Sequence, residues 1–255
     1  PLLCTYAQAL HAAGRLGEAL EQYRKALEVD PSYHIAWFGL WYCHAAAWDW
    51  NRAEAVVRQT AADHANEPYA SVNLSTCVMN SGRLEEGLQA IEKALEMEPD
   101  PKRTYVLFHA GMRYYYARQY EVAIDFFRQT LARDSSWNQA HLLIAKCYMY
   151  MPQPRFEDAL VEIDAAERRF GGSDPFWQVH VHMDRGKIFA RRGETAKAEA
   201  ELAALTLMSG RQNRHIAVAG VLSELRRMDE AMDWLEAAAT AREAHIASLR
   251  MCPDA

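Results

Sequence analysis

The chain has 255 residues, of which 50% are hydrophobic and 24% charged, a composition typical of a folded chain and not of a disordered one. Its formal net charge of −6 disfavours nucleic acid as a partner, because nucleic-acid-binding proteins present a basic face to the phosphates. No apolar run approaches the roughly 18 residues of a membrane span, so we expect no membrane-embedded segment.

The cysteines and the N-terminus indicate the compartment. Five cysteines, an odd number without a Cys-x-x-Cys pair, do not form a disulfide framework. No secretory signal opens the chain, so the sequence predicts a cytoplasmic protein in a reducing environment. Pro1 stands where a helix is already expected, and we therefore expect this chain to be part of a longer one.

Two segments of the N-terminal half follow one pattern. The first runs from Gly14 to Pro31 and the second from Gly82 to Pro99. Their closing prolines lie two periods of about 34 residues apart, and a fixed period of this length is the sign of a repeat architecture. The residue pattern of these segments resembles the tetratricopeptide-repeat (TPR) consensus, which is Trp-x2-Leu-Gly-x2-Tyr, then Ala-x3-Phe-x2-Ala, then Pro.

The small residue that opens the second helix of each repeat carries the resemblance along the chain. It falls at Ala19, Ala53, Gly87, Ala123, Ala159, Ala198 and Ala231. Four positions later, on the same helix face, stands a large apolar residue: Tyr23, Val57, Ile91, Phe127, Ile163, Leu202 and Leu235. The closing proline is a departure from the family, since it is present only at Pro31 and Pro99.

The resemblance implies an all-α fold, a right-handed TPR superhelix (α-solenoid) of seven helix hairpins with a C-terminal capping helix. The Gly-Gly-Ser-Asp-Pro run at 171–175 is read as a loop within one array, although a domain boundary is the alternative. The end of the chain is also similar to TPR segments of bacterial regulators. A single array over 1–255 is expected, with repeats near 1–33, 34–67, 68–103, 104–137, 138–175, 176–211 and 212–239 and a cap over 240–255.

The resemblance also implies a ligand groove, because in this family the first helix of each hairpin lines the concave face. Carried onto this register, the groove positions hold Phe38, Tyr42, Tyr69, Tyr105, Phe108, Met112, Tyr116 and Tyr150. We expect a continuous, partly exposed strip that binds an extended or helical peptide with apolar side chains. The alternative is that these side chains fill the core.

Three groove positions in repeats five and six are basic. Lys146, Lys187 and Arg191 could pair with an acidic flank of the same peptide. The alternative is three isolated, solvated cations of little energetic consequence. The Lys, Asn and Arg series of the family's carboxylate clamp does not appear across three consecutive repeats, so we do not expect that partner class.

The sequence has no His-Glu-x-x-His, zinc-ligand spacing, phosphate loop or Gly-x-Ser-x-Gly elbow, and we therefore expect no metal, cofactor or catalytic site. Cys43, Cys77 and Cys147 share the tenth position of their repeats and are interpreted as small core hydrophobes.

The function predicted from these features is a non-catalytic scaffold that binds proteins or peptides. Two alternatives stay open. One is a regulatory segment of a larger bacterial signalling or transcription protein. The other is a self-assembly module, in which the chain forms a homo-oligomer.

Overall fold

The computed structural model describes residues 2–30, 33–46, 50–97, 103–170, 175–208 and 214–241. These residues form fourteen α-helices, and no strand occurs among them. The helices are α1 Leu2–Ala12, α2 Leu16–Val29, α3 His34–Ala46, α4 Trp50–Asp63, α5 Pro68–Asn80, α6 Leu84–Glu96, α7 Arg103–Tyr116, α8 Tyr120–Arg133, α9 Gln139–Tyr150, α10 Phe156–Phe170, α11 Pro175–Arg191, α12 Thr195–Leu207, α13 Arg214–Glu224 and α14 Met228–Thr240.

Consecutive helices pair into seven hairpins, α1 with α2 through α13 with α14. In the fourth hairpin the rings of Tyr114 on α7 and Phe126 on α8 stack 5.3 Å apart at 14°. The predicted all-α class and its seven hairpins are thus confirmed in the described part of the chain. The expected capping helix falls almost wholly on residues 242–255, which lie outside the described residues.

A recurrent turn joins the two helices of most hairpins. In the first hairpin Gly14 has a φ of 75° and its N–H donates to the carbonyl of His11, while the N–H of Arg15 donates to the carbonyl of Leu10. This is the Schellman end of a helix, in which a left-handed residue satisfies two terminal carbonyls. The same pair of bonds closes the turns at Gly82, Arg118, Gly193 and Arg226.

The small-residue series lies where the helices cross. All seven of its members are buried. A Cβ added to Gly87 would collide with the side chain of Met79 on the preceding helix, so close approach of the two backbones requires a residue without a side chain there. The large apolar partner is buried in the first six hairpins, from Tyr23 to Leu202, and half-buried at Leu235. The register predicted from the sequence is therefore correct.

The chain divides into two compact units, Pro1–Arg113 and Tyr114–Ala255, with the division inside α7. A core in the first unit joins α1, α2 and α3 through residues such as Leu10, Tyr23 and Leu40. A core in the second joins α11 to α14 through Val179, Leu205 and others. Within each unit neighbouring first helices touch, α1 with α3 and α11 with both α9 and α13, so their side chains come together on one face.

The three tenth-position thiols are buried, as predicted. Cys43, Cys77 and Cys147 are each at most 2% exposed, which fits small apolar residues in a helix interface. Burial raises the pKa of Cys43 and of Cys77 to about 11. No helix in the described ranges is both long and apolar enough to cross a bilayer.

Candidate functional site

Phe38 and Tyr42 form the most exposed part of the predicted strip. Both lie on α3, one turn apart, and their rings stack at 5.9 Å and 13°. Phe38 is 46% exposed, whereas Leu40 on the same helix is 4% exposed. The ring of Tyr42 also lies 4.8 Å from that of His11 on α1. The first two hairpins thus present a stacked aromatic pair whose outer member faces solvent.

Tyr69 and Tyr105 form a second pair, from α5 and α7. Their rings meet edge to face at 4.8 Å, and the ring of His109 lies 4.2 Å from that of Tyr105. Burial raises the pKa of Tyr105 to about 12. It also lowers the pKa of His109 to about 3, with a smaller contribution from the positive charge of Arg113. His109 is therefore a neutral, packed side chain at neutral pH.

Phe108 is less exposed to solvent than we expected for a residue of the strip. It is 5% exposed, with its ring perpendicular to that of His109 at 5.6 Å, so it belongs to the packed interior of α7. Partial exposure of this ring was a wrong prediction, because its position on α7 brings it under neighbouring side chains. Met112 and Tyr116 are half-buried, and the Tyr116 ring contacts that of Tyr115 at 5.4 Å.

The predicted basic residues lie in one cluster on α9 and α11. The Nζ of Lys146 donates to Oδ1 of Asp184 at 2.8 Å, and Asp184 is fully buried. Lys146 keeps 13% of its side chain exposed. The pair satisfies a carboxylate that would be costly to bury alone. Lys146 is therefore not an isolated, solvated cation.

Lys187 is buried, with 4% of its surface exposed, which corrects the expectation of an accessible groove cation. Its Nζ lies 3.4 Å from the hydroxyl oxygen of Tyr150. A Cβ added to Gly220 on α13 would lie only 2.7 Å from Cε of Lys187. The next first helix thus covers the lysine stem, and the absence of a side chain at Gly220 provides the room for it.

Arg191 completes the cluster with a half-buried guanidinium. It donates from Nη1 to the carbonyl of Met149 at 2.8 Å. Its Cζ lies 5.3 Å from the ring centroids of both Tyr150 and Phe156, within the range of cation–π attraction. These contacts fix the orientation of the guanidinium and of the Tyr150 ring beside it.

The structure therefore brings the predicted residues together in three groups. These are the Phe38–Tyr42 pair, the Tyr69–Tyr105 pair and the basic cluster on α9 and α11. Asp184 itself was missed, although an acidic residue three positions before Lys187 on a largely apolar helix was a detectable signal. Trp137 and Trp177, which line a surface pocket, were also missed. Among the described residues, no group of three or more His, Cys, Asp or Glu side chains could hold a metal ion.

Two family models match the chain. A TPR repeat model matches residues 7–40, and a second tetratricopeptide repeat model matches residues 69–101. Both matches coincide with hairpins whose crossing residue, Ala19 or Gly87, is buried. The chain therefore carries tetratricopeptide repeats. TPR proteins act as scaffolds for protein interactions, and stacked repeats give them the extended surface for this.

Similarity to known TPR proteins covers most of the chain. Anaphase-promoting complex subunit 3 of Schizosaccharomyces pombe is 22% identical over 186 residues, which are 73% of this chain and 27% of the relative. This TPR chain therefore spans about a quarter of the curated relative that it matches.

Solved structures show the same fold. A TPR protein from Parabacteroides merdae is 15% identical with a TM-score of 0.65, covering 93% of this chain and 91% of its own. An IFIT1 monomeric mutant with Gppp-AAAA is 20% identical with a TM-score of 0.68, covering 98% of this chain and 60% of its own. At these identities the likeness concerns the fold alone.

Proposed function

We propose that this TPR chain is a non-catalytic scaffold whose first-helix surface at Phe38 and Tyr42 binds an apolar segment of a partner protein. The observation that carries the proposal is the exposure of Phe38, a ring stacked on Tyr42 and 46% open to solvent. With the half-buried rings of Trp41 and Tyr42 beside it, Phe38 forms a contiguous apolar patch, and exposed patches of this kind mark interaction sites. Aromatic rings also give much contact area for little loss of conformational entropy.

The surface around Phe38 is already ordered. Phe38 contacts Trp41 at 5.6 Å as well as Tyr42, and Tyr42 contacts His11 on α1. When a partner covers these rings, little conformational entropy is therefore lost in ordering them, and preorganisation of this kind raises affinity. The chemistry favours a peptide with large apolar side chains.

The basic residues of α9 and α11 support a further part of the proposal, an acidic flank on the partner. Lys146 pairs with the carboxylate of Asp184, whereas Lys187 and Arg191 both lie against the side chain of Tyr150. Lys187 is buried and Lys146 pairs with Asp184, whereas Arg191 is half-buried. Its guanidinium has five N–H donors, and among the described residues it donates to the carbonyl of Met149. A partner carboxylate would meet Arg191 beside the ring of Tyr150.

A peptide library displayed on phage and selected on the wild-type chain provides ligands for the test. Binding of a selected peptide is then measured by fluorescence polarisation with the wild type, Phe38→Ala and Tyr42→Ala. Each truncation should weaken binding by about 2 kcal/mol or more if the ring is a hot spot. Arg191→Ala should weaken only peptides that carry acidic residues, and most strongly at low salt.

Leu84→Ala is the matched control. Leu84 lies on α6, a second helix of the same unit, and is 41% exposed, close to the exposure of Phe38. It should bind the selected peptides as the wild type does. Equal affinities of Phe38→Ala, Tyr42→Ala and Leu84→Ala would place recognition elsewhere and refute the proposal.

A further inference from the structure

The outer face of α1 is an apolar stripe that the rest of the described chain leaves largely uncovered. Its three residues lie one turn apart, and all are exposed: Leu2 at 86%, Tyr6 at 51%, and Ala9. One repeat later, the equivalent residues of α3 are all buried, namely Ala36, Leu40 and Cys43. The same three positions are buried on α9 as well, at Ala140, Ile144 and Cys147.

Inside the chain, the preceding second helix covers a first helix. A Cβ added to Gly39 on α3 would lie only 2.2 Å from the ring of Tyr23 on α2, so these two helices pack directly on each other. The second helix α2 and the first helix α3 also share one apolar core. The exposed stripe of α1 therefore has the form of a face that receives a second helix.

The last described helix, α14, shows the matching half of this contact. Met228 and Met232 lie one turn apart on it, and each is 56% exposed. Leu235, one turn further on, is half-buried, whereas Tyr23 and the other residues at its position are buried in the first six hairpins. Because Tyr23 packs on the following first helix, α14 exposes the face on which a second helix receives the next hairpin.

Ion pairs accompany this contact between hairpins. Arg83, four positions before the crossing residue of its hairpin, pairs with Glu54 on the preceding second helix. Arg227 pairs in the same way with Glu199. Arg15 holds the equivalent position in the first hairpin. The helix α1 contains no Asp or Glu, whereas α14 carries three exposed carboxylates beside its methionines, at Asp229, Asp233 and Glu236. The two faces are therefore complementary in charge as well as apolar.

Another pair inside the chain indicates what Tyr6 would contact. Arg185 holds the position of Tyr6 on α11, and its guanidinium donates to the carboxylate of Asp164 on the preceding second helix. Glu236 holds the position of Asp164 on α14. When α14 packs on α1 with the same register, the hydroxyl of Tyr6 is placed to donate to the carboxylate of Glu236.

We propose that copies of this chain associate head to tail, with α14 of one copy packed on α1 of the next in the manner of consecutive hairpins. Met228, Met232 and Leu235 cover the stripe of α1, and Arg15 meets the carboxylates of α14. A second copy is the partner because one kind of chain supplies both halves of the contact. The contact uses neither Phe38 nor Tyr42, so it is independent of the surface proposed above.

Sedimentation velocity of the full chain over a dilution series tests the inference, and the wild type should form oligomers that dissociate on dilution. Tyr6→Glu and Met232→Glu each place a charge in the apolar contact and should weaken association about tenfold or more. Both residues are exposed, so neither change should alter the helical circular dichroism spectrum.

Val161→Glu is the matched control. Val161 is 64% exposed on α10, a second helix that is followed by another hairpin. This variant should associate as the wild type does, and so should Phe38→Ala, because neither residue lies on α1 or α14.

Mixing the two end variants distinguishes this contact from any other mode of association. The Tyr6→Glu chain keeps the α14 face and the Met232→Glu chain keeps the α1 face, so an equimolar mixture should form a heterodimer although neither variant associates alone. The inference is overturned if the mixture stays monomeric, if the wild type is monomeric at every concentration, or if the end variants associate as the wild type does. Slow oxidation of Met228 and Met232 in the monomer would also overturn it, because another part of the same chain would then cover α14.

Discussion

At the residue scale, the environment of His109 couples stability to pH. Its Nδ1 is buried and has no hydrogen-bond partner in the described part of the chain, and burial lowers the pKa of the ring to about 3. In an unfolded chain the pKa of histidine is about 6.5, so below that pH the unfolded state binds a proton that the folded state does not. Stability should therefore fall as pH falls.

We expect this loss to approach about 1.4 kcal/mol for each pH unit below 6.5, until the folded pKa is reached. His109→Gln removes the titrating ring, so its unfolding free energy should decline less over the same range. Urea unfolding of both proteins at neutral and mildly acidic pH measures the difference. If the unfolding free energies of the two proteins change equally with pH, the His109 imidazole binds a proton as readily in the folded state as in the unfolded one, which would contradict the prediction.

The burial of three thiols leads to a second prediction at this scale, about their rate of reaction with thiol reagents. The raised pKa values of Cys43 and Cys77, about 11 in each case, leave little thiolate at mildly alkaline pH. Cys147 is also buried, with 0% exposed. Because the thiolate is the reactive form, native labelling at these three should be slower than labelling in denaturant by about tenfold or more. Mass spectrometry of labelled peptides gives the rate for each cysteine, and fast native labelling of all three would reopen a redox role.

At the scale of the element, the same left-handed turn recurs between the helices of five hairpins, and in two of them the left-handed residue is not glycine. Gly14, Gly82 and Gly193 adopt positive φ, as glycine does readily, but Arg118 and Arg226 adopt φ values of 58° and 64° in the same turn. A left-handed conformation costs a residue with a Cβ roughly 1–2 kcal/mol. The two arginines therefore leave strain in the fourth and seventh hairpins.

Arg118→Gly and Arg226→Gly should each stabilise the chain by about 1 kcal/mol, since the glycine removes this strain and both arginines are exposed. Gly82→Ala is the reverse change in an equivalent turn with a φ of 82°, and it should destabilise by a similar amount. Chemical denaturation measures all three. A loss of stability in both arginine variants would mean that their side chains contribute more than the backbone strain costs.

At the scale of the whole molecule, the described chain is a set of helix hairpins without strands, so far-ultraviolet circular dichroism should give a predominantly helical spectrum. Phe38→Ala should leave that spectrum and the melting temperature nearly unchanged, because a residue that is 46% exposed contributes little to the core. A large drop in melting temperature would show that Phe38 is a packing residue. A β-rich spectrum would contradict the fold itself.

Much of the fold could be predicted because the repeat shows in the residues themselves. Close crossing of two helices excludes large side chains, and this leaves a small residue at the same place in every repeat, from Ala19 to Ala231. A helical register also gives the face on which a side chain lies, and Lys146, Lys187 and Arg191 all make contacts between α9 and α11. These features depend on local geometry, which repeats along the chain.

What only the tertiary structure decided is how deeply each of those side chains lies. Phe38 and Phe108 occupy the same position of their repeats, yet one is 46% and the other 5% exposed, because different neighbours cover them. Lys187 is buried because Gly220 on another hairpin leaves space above its stem. Likewise, Trp137 and Trp177, forty residues apart, line one pocket only because α9 and α11 pack together. Exposure is set by packing between repeats, and no single repeat contains that information.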